Sequence, residues 1–165
     1  MTDSFHLRPA TSADVPALTR QRAEMYRDMG VLPDDQYEPL RAAFAAYLSR
    51  ALPAGEYVAW VATTGDRRDV VAGAGLLLRP MLPALRRRDD AIDVALGPQG
   101  LVCNVFTERP WRRRGLARRL TETAIAGARE RGVSHLFLHA SAEGRPLYES
   151  LGFVPTSEMR YAGPL

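Results

Sequence analysis

Hydrophobic side chains recur at helical spacing in the first third of the chain, after a short strand that ends near Arg8. One apolar stripe runs through residues 15–29 until Gly30 ends the pattern, and Arg22 occupies one position of that stripe. A second stripe predicts a helix over residues 37–52. The chain therefore opens with a strand and two amphipathic helices.

Two continuous apolar runs follow these helices. Residues 56–64 and 69–78 are rich in Val, Ala and Leu and flank the turn sequence GDRR, which predicts a β-hairpin. Residues 79–99 contain three prolines and show no clear period, so the sequence predicts a long irregular segment there.

The C-terminal part of the chain alternates strands and helices. The pattern predicts strands at 100–108 and 133–140 and helices at 115–132 and 144–153. A strand, a glycine turn, a helix and a second strand form a βαβ unit. The first of these helices carries an apolar stripe, which consists of Leu116, Leu120, Ala124 and Ala128. We expect a single α/β domain over residues 1–165.

Composition narrows the class of protein. The chain contains one cysteine, three scattered histidines and no signal-peptide pattern, and its longest apolar run is too short to span a bilayer. These features predict a cytoplasmic protein with no metal and no membrane contact.

Charge composition gives a weak signal. All 22 basic residues are arginine, yet the net charge is only +3. Abundant Ala, Gly and Pro suggest that a codon bias toward G and C explains most of these arginines. A nucleic-acid-binding surface built from Arg86–Arg88 and Arg112–Arg114 is a third-ranked hypothesis, because such proteins usually carry a larger clustered charge.

The segment WRRRGLARRL, residues 111–120, places a glycine immediately before a predicted helix. A helix N-terminus exposes unpaired N–H groups and attracts phosphate, and Gly115 lets the backbone approach a ligand closely. Successive N–H groups of residues 112–117 can form an anion-binding nest. The motifs of nucleoside triphosphate and dinucleotide sites are absent. From these residues alone, a plain helix start with solvated arginines is equally acceptable.

Two motifs in order resemble those of the GNAT superfamily of acyl-CoA-dependent N-acyltransferases. RRRGLA matches the phosphate-loop pattern of that family at Arg112, Gly115 and Ala117. HASAEGRPLYESLGF, residues 139–153, resembles its second motif, with Tyr148 ahead of Leu-Gly-Phe. Two positions depart from the family pattern: Ser141 replaces a frequent asparagine, and the usual proline is displaced to Pro110.

The resemblance implies a cofactor site for acetyl-CoA as the cosubstrate. The pantetheine arm would follow the bulged strand at Asn104, Val105 and Phe106, with Ser141 nearby. The pyrophosphate would bind the turn and the first helical residues, namely Arg112, Arg113, Arg114, Gly115, Leu116 and Ala117.

The resemblance also implies direct attack of an amine on the thioester, with Tyr148 as the general acid for the leaving thiolate. Cys103 is rejected as a nucleophile, because no histidine is placed beside it and it lies on a buried-looking strand. The base stays open between Glu24, Asp28 and a chain of waters.

The implied fold is a mixed, mostly antiparallel sheet of about six to seven strands, splayed between its fourth and fifth strands, with helices on both faces. The acceptor is a primary amine of a small molecule or a protein, and a homodimer is compatible with the sequence. The predicted walls of the acceptor site are Met25, Tyr26, Met29, Tyr37 and the 79–99 segment. A non-catalytic acyl-CoA-binding or regulatory module is the alternative function.

Overall fold

The computed structural model describes residues 4–66 and 69–163. Its strands are β1 His6–Pro9, β2 Tyr57–Thr63, β3 Val70–Arg79, β4 Ala84–Arg88, β5 Ala91–Ala95, β6 Gln99–Thr107 and β7 His135–Leu138. Its α-helices are α1 Val15–Asp28, α2 Tyr37–Ala51, α3 Leu116–Glu130 and α4 Arg145–Ser150. The GDRR turn includes residues 67 and 68, which lie outside the described residues.

The main sheet has the strand order β1-β2-β3-β6-β7. Its first three pairings are antiparallel, whereas β6 and β7 run parallel, as the βαβ connection through α3 requires. The predicted class, a mixed and mostly antiparallel sheet with helices, is confirmed. The strands outside this sheet, β4 and β5, form a separate two-stranded sheet.

Strand β6 extends beyond the end of β7. All four residues of β7 are paired, up to Leu138 opposite Val102, whereas β6 continues to Thr107. Next to β3 the register of β6 shifts between Gly73 and Gly75, and Asn104 has a φ of 54°. This is a β-bulge, which bends the strand that carries it. The predicted bulge is present, and the predicted splay of β6 from β7 stays a prediction, because β7 is paired along its whole length.

Helices cover both faces of the main sheet because its central strands are apolar on both sides. On one face α3 packs on β2, β3 and β6, and its predicted stripe is buried. On the other face α1 and α2 pack over a second cluster that includes Leu18, Phe44, Leu48 and Tyr57. Continuous burial of β2 and β3 explains why their sequences lack apolar–polar alternation.

The prediction of an irregular segment over residues 79–99 is wrong. Residues 84–88 and 91–95 form the antiparallel pair β4–β5, with Leu85 opposite Val94 and Arg86 opposite Asp93. Both Leu85 and Val94 are exposed, so neither strand has the half-buried alternation by which strands are recognised. The two strands are defined by pairing with each other, which a single-strand pattern does not reveal.

Candidate active site

The bulge of β6 is held in place by side chains from other elements. Arg22 of α1 donates a hydrogen bond from Nη1 to the Asn104 Oδ1 atom. Asn104 in turn donates from Nδ2 to the Tyr57 hydroxyl oxygen at 2.7 Å. The Asn104 side chain is thus committed to the α1 side of the sheet, which leaves the backbone of the bulge as the group available to a ligand.

Cys103 precedes the bulge and is half-buried. Burial raises the pKa of its thiol, so the sulfur stays protonated at neutral pH. A protonated thiol is a poor nucleophile, and this supports rejection of a covalent route through Cys103.

The turn before α3 contains two residues in the left-handed region. Arg113 has a φ of 61° and Gly115 a φ of 77°, and α3 begins immediately afterwards at Leu116. A β-carbon on Gly115 would meet no atom within 4 Å, so the space above this turn is open. Leu116 is buried and Ala117 is half-buried. The first N–H groups of α3 therefore lie at an open helix N-terminus, which carries a partial positive charge.

The three arginines of the turn are placed differently from one another. Arg112 donates to Asp28 and, over 3.0 Å, to the Thr107 carbonyl oxygen, and its guanidinium lies 5.4 Å from the centre of the buried Phe106 ring. Arg114 stacks on Trp111 at 4.9 Å. Arg113 is exposed. Arg112 thus anchors the turn, and Arg113 is the arginine best exposed to a phosphate.

Asp28 connects the end of α1 to this turn. Its carboxylate accepts hydrogen bonds from Arg109, at 2.5 Å, and from Arg112. Although burial opposes it, the two arginines hold the pKa of Asp28 below its usual range. A carboxylate with a lowered pKa and two cationic partners is a weak proton acceptor. Asp28 therefore suits a structural role, linking α1 to the turn, better than the role of general base.

The other candidate base, Glu24, is also occupied. It accepts a hydrogen bond from the Tyr37 hydroxyl at 2.7 Å and pairs with Arg27 at 3.0 Å. The Tyr26 ring centre lies 5.1 Å from the Arg22 guanidinium, whereas the Met29 side chain is 55% exposed. Of the residues predicted to line the acceptor site, Tyr26 and Tyr37 therefore contact other side chains, and Met29 is exposed.

Tyr148 lies on α4, the short helix that follows β7. Its ring packs edge-to-face against Phe153, and burial raises the pKa of its hydroxyl. The Ser141 Oγ atom accepts a hydrogen bond from the Gly144 N–H at 3.1 Å and so stabilises the turn that begins α4. Tyr148 is held in the protonated form that a general acid needs.

Three further observations concern metal binding, membrane spanning and nucleic-acid binding. In the described part of the chain, no group of His, Cys, Asp and Glu side chains could hold a metal ion. Across residues 4–66 and 69–163, no helix is long and apolar enough to cross a membrane. In both proposed nucleic-acid clusters an arginine is neutralised, because Arg86 pairs with Asp93 and Arg112 with Asp28.

Sequence reasoning missed two residues at the bulge. Tyr57 begins an apolar strand and gave no sign of a polar role. Arg22 did give a signal, because it is a cation at a position of an apolar stripe. Its significance depended on contact with Asn104, 82 residues away.

A comparison with known protein families also points to the segment that contains the bulge and the glycine turn. Residues 88–163 match the family model described as an acetyltransferase (GNAT) domain. The matched segment contains the bulged strand, the glycine turn and Tyr148. Residues 88–163 belong to the GNAT acetyltransferase family. No curated protein sequence matches the chain significantly.

Solved structures extend the GNAT likeness over the whole chain. A GCN5-related N-acetyltransferase from Ralstonia eutropha has a TM-score of 0.81 at 28% identity, covering 98% of this chain and 99% of its own. A protein from Clostridium acetobutylicum, described as a predicted acetyltransferase and crystallised with acetyl-CoA, has a TM-score of 0.79 at 25% identity, with coverages of 97% and 96%. Glucosamine-6-phosphate N-acetyltransferase from Arabidopsis thaliana, at 14% identity, a TM-score of 0.62 and coverages of 97% and 98%, shares the fold alone.

Proposed function

We propose that this GNAT protein transfers an acetyl group from acetyl-CoA to a primary amine. The observation that carries the proposal is the end of β6 beyond Val102, which has no partner on its β7 side and leads to the left-handed turn of Gly115. The unpaired end of β6 gives a free strand edge, and the turn gives a helix N-terminus. Together they suit an extended arm that ends in phosphates.

The residues present fit CoA at both ends. Beyond Val102 the β7 side of β6 has no strand partner, so the backbone of Asn104, Val105 and Phe106 can bond an extended pantetheine arm. The first N–H groups of α3, with the exposed Arg113, suit the pyrophosphate. Arg112 would act mainly by holding the turn, because the Asp28 carboxylate already neutralises its guanidinium.

Acetyl-CoA supplies a thioester whose carbonyl carbon accepts the amine nitrogen while the carbon–sulfur bond breaks. An N–H of the bulged strand would stabilise negative charge that develops on the carbonyl oxygen. The Tyr148 hydroxyl would give its proton to the departing sulfur, and the amine proton would leave through water, since Glu24 and Asp28 are both occupied.

The test follows release of the CoA thiol from acetyl-CoA in the presence of a panel of primary amines, alongside calorimetric titration of CoA. Acceptor-dependent thiol release is the expected result. CoA binding without thiol release for any amine would favour the alternative, a non-catalytic acyl-CoA-binding module. Absence of CoA binding would refute both.

A further inference from the structure

Arg22 lacks the carboxylate partner that the other partly buried arginines of the described chain have. The described arginine residues that are not exposed are Arg8, Arg20, Arg22, Arg41 and Arg86. Four of them have a carboxylate within ion-pairing distance, between 2.7 and 3.1 Å. Within residues 4–66 and 69–163, Arg22 has none. A shielded cation without a counter-ion is costly, so its retention calls for an explanation.

The surroundings of Arg22 fix its guanidinium without neutralising it. The group lies 5.1 Å from the Tyr26 ring centre and 4.9 Å from that of Phe44. Nη1 donates to Asn104 Oδ1 and Nη2 donates to the Tyr26 hydroxyl at 3.2 Å. A guanidinium has five N–H donors, so these two bonds leave others for a ligand. Two aromatic contacts hold the planar group ready for one approach direction.

The position of Arg22 connects it to the reaction rather than to the fold alone. Its partner Asn104 lies in the bulge of β6, two residues beyond Val102, the last residue of β6 that pairs with β7. The proposed transfer takes place at this bulge, so an acceptor whose amine reaches it would pass close to Arg22. A fixed, uncompensated guanidinium recognises a carboxylate strongly, because the planar fork matches both carboxylate oxygens.

We infer that the acceptor is an amino acid or a similar small amine that carries a carboxylate near its amine, and that Arg22 binds this carboxylate. The inference rests on the proposed acetyl transfer and names its substrate class. Binding the anion would supply the charge partner that residues 4–66 and 69–163 do not provide for Arg22. Arg22 is then the residue that determines acceptor specificity.

The test measures thiol release from acetyl-CoA with the primary-amine amino acids and their α-carboxamides, which lack the charged carboxylate. Because the carboxamide also lowers the pKa of the amine, kcat/KM is expressed per unprotonated amine. For the wild type we expect this kcat/KM to favour the best amino acid over its carboxamide by about 10- to 100-fold, as for a hydrogen bond to a charged group. In Arg22→Gln this ratio should fall to near one through a raised KM for the acid. Glutamine removes the charge and is too short to replace the bond to Asn104, so the ratio of the two substrates is the decisive readout. Arg22→Lys keeps the charge and should recover part of the preference.

The matched control is Arg129→Gln, which removes an exposed arginine near the end of α3 and the same unit of charge. Its acid-to-amide ratio should equal that of the wild type. If Arg22 only holds the bulge, Arg22→Gln would lower both rates equally and leave the ratio unchanged, which overturns the inference. A wild type that prefers carboxamides or shows no preference also overturns it, while acetyl transfer still stands.

A calorimetric titration of the same amino acids into the CoA-saturated protein separates this inference from the proposed function. If no amine releases thiol, the proposed function fails. Binding of an amino acid that is lost in Arg22→Gln would then still support the carboxylate site. Absence of binding to the wild type would overturn it.

Discussion

The side-chain amide of Asn104 donates a hydrogen bond to the Tyr57 hydroxyl oxygen at 2.7 Å, across a strand that lies between them. Tyr57 belongs to β2 and Asn104 to β6, and β3 separates the two. The ring of Tyr57 crosses β3 at Gly75, where a β-carbon would lie only 1.8 Å from the hydroxyl oxygen. The bulge of the proposed active site therefore depends on a glycine and a tyrosine from two other strands.

Tyr57→Phe should destabilise the protein by about 1–3 kcal/mol, because it leaves the half-buried Asn104 amide without its acceptor. Chemical denaturation monitored by circular dichroism measures this difference. The control is Tyr161→Phe, since Tyr161 is 69% exposed and should change stability little. Equal denaturation midpoints for the two variants would show that the Asn104–Tyr57 bond contributes nothing.

Gly115→Glu should abolish CoA binding while the fold survives. The new side chain would occupy the open space above the turn and place a negative charge at the N-terminus of α3, where it would repel phosphate. Calorimetric titration of CoA gives the affinity, and circular dichroism reports the fold.

The control for this change is Gly55→Glu. Gly55 has a φ of 69° and equally open surroundings, but it follows α2 and does not precede a helix N-terminus. Both substitutions carry a similar backbone strain, about 1–2 kcal/mol. Unchanged CoA affinity in a folded Gly115→Glu protein would contradict the phosphate-binding role of the turn.

Tyr148→Phe should lower turnover by about 10²- to 10⁴-fold if proton donation to the thiolate limits the rate. CoA affinity should stay almost constant, because the ring and its contact with Phe153 remain. Single-turnover kinetics measure the chemical step directly. Since burial raises the pKa of Tyr148 above the ordinary value for tyrosine, its hydroxyl should stay protonated at neutral pH, and the wild-type rate should show no loss from this group there. Wild-type single-turnover rates in Tyr148→Phe would exclude it as the acid.

Asp14→Asn should destabilise the protein at neutral pH by about 1–3 kcal/mol. Asp14 is buried and accepts two hydrogen bonds from Arg8, at 2.7 and 2.8 Å, and another from the Thr11 N–H. The bond from Arg8 lowers the pKa of Asp14 below that of the unfolded chain. Its stabilising effect is therefore complete above a pH of about 4 and is lost as the pH falls through the lower, folded-state value.

Denaturation of wild type and Asp14→Asn between pH 7 and pH 2 tests this sign. The difference in unfolding free energy should be constant down to about pH 5 and shrink below the unfolded-state pKa near 4. Asp34→Asn, a change at an exposed aspartate, is the control for loss of one carboxylate and should change stability little at pH 7. A difference that grows on acidification would contradict the assignment.

Local sequence determined most of the helices and strands and the identity of the phosphate turn. The stripe of α3 is buried as its period predicts, and Gly115 has the positive φ for which glycine is suited. These features depend on neighbours within a few residues, so the sequence carries them directly. The resemblance to the GNAT family added the expectation of a mixed, mostly antiparallel sheet, which the strand pairings confirm.

Tertiary structure alone decided which side chains meet. Arg22 reaches Asn104 over 82 residues, and Arg112 bonds to Asp28 over 84, which gives Arg112 a counter-ion and removes Asp28 from the free bases. The β4–β5 pair likewise formed where each strand lacked a readable pattern. Such contacts are set by how helices pack on a twisted sheet, and no spacing within a single segment records that packing.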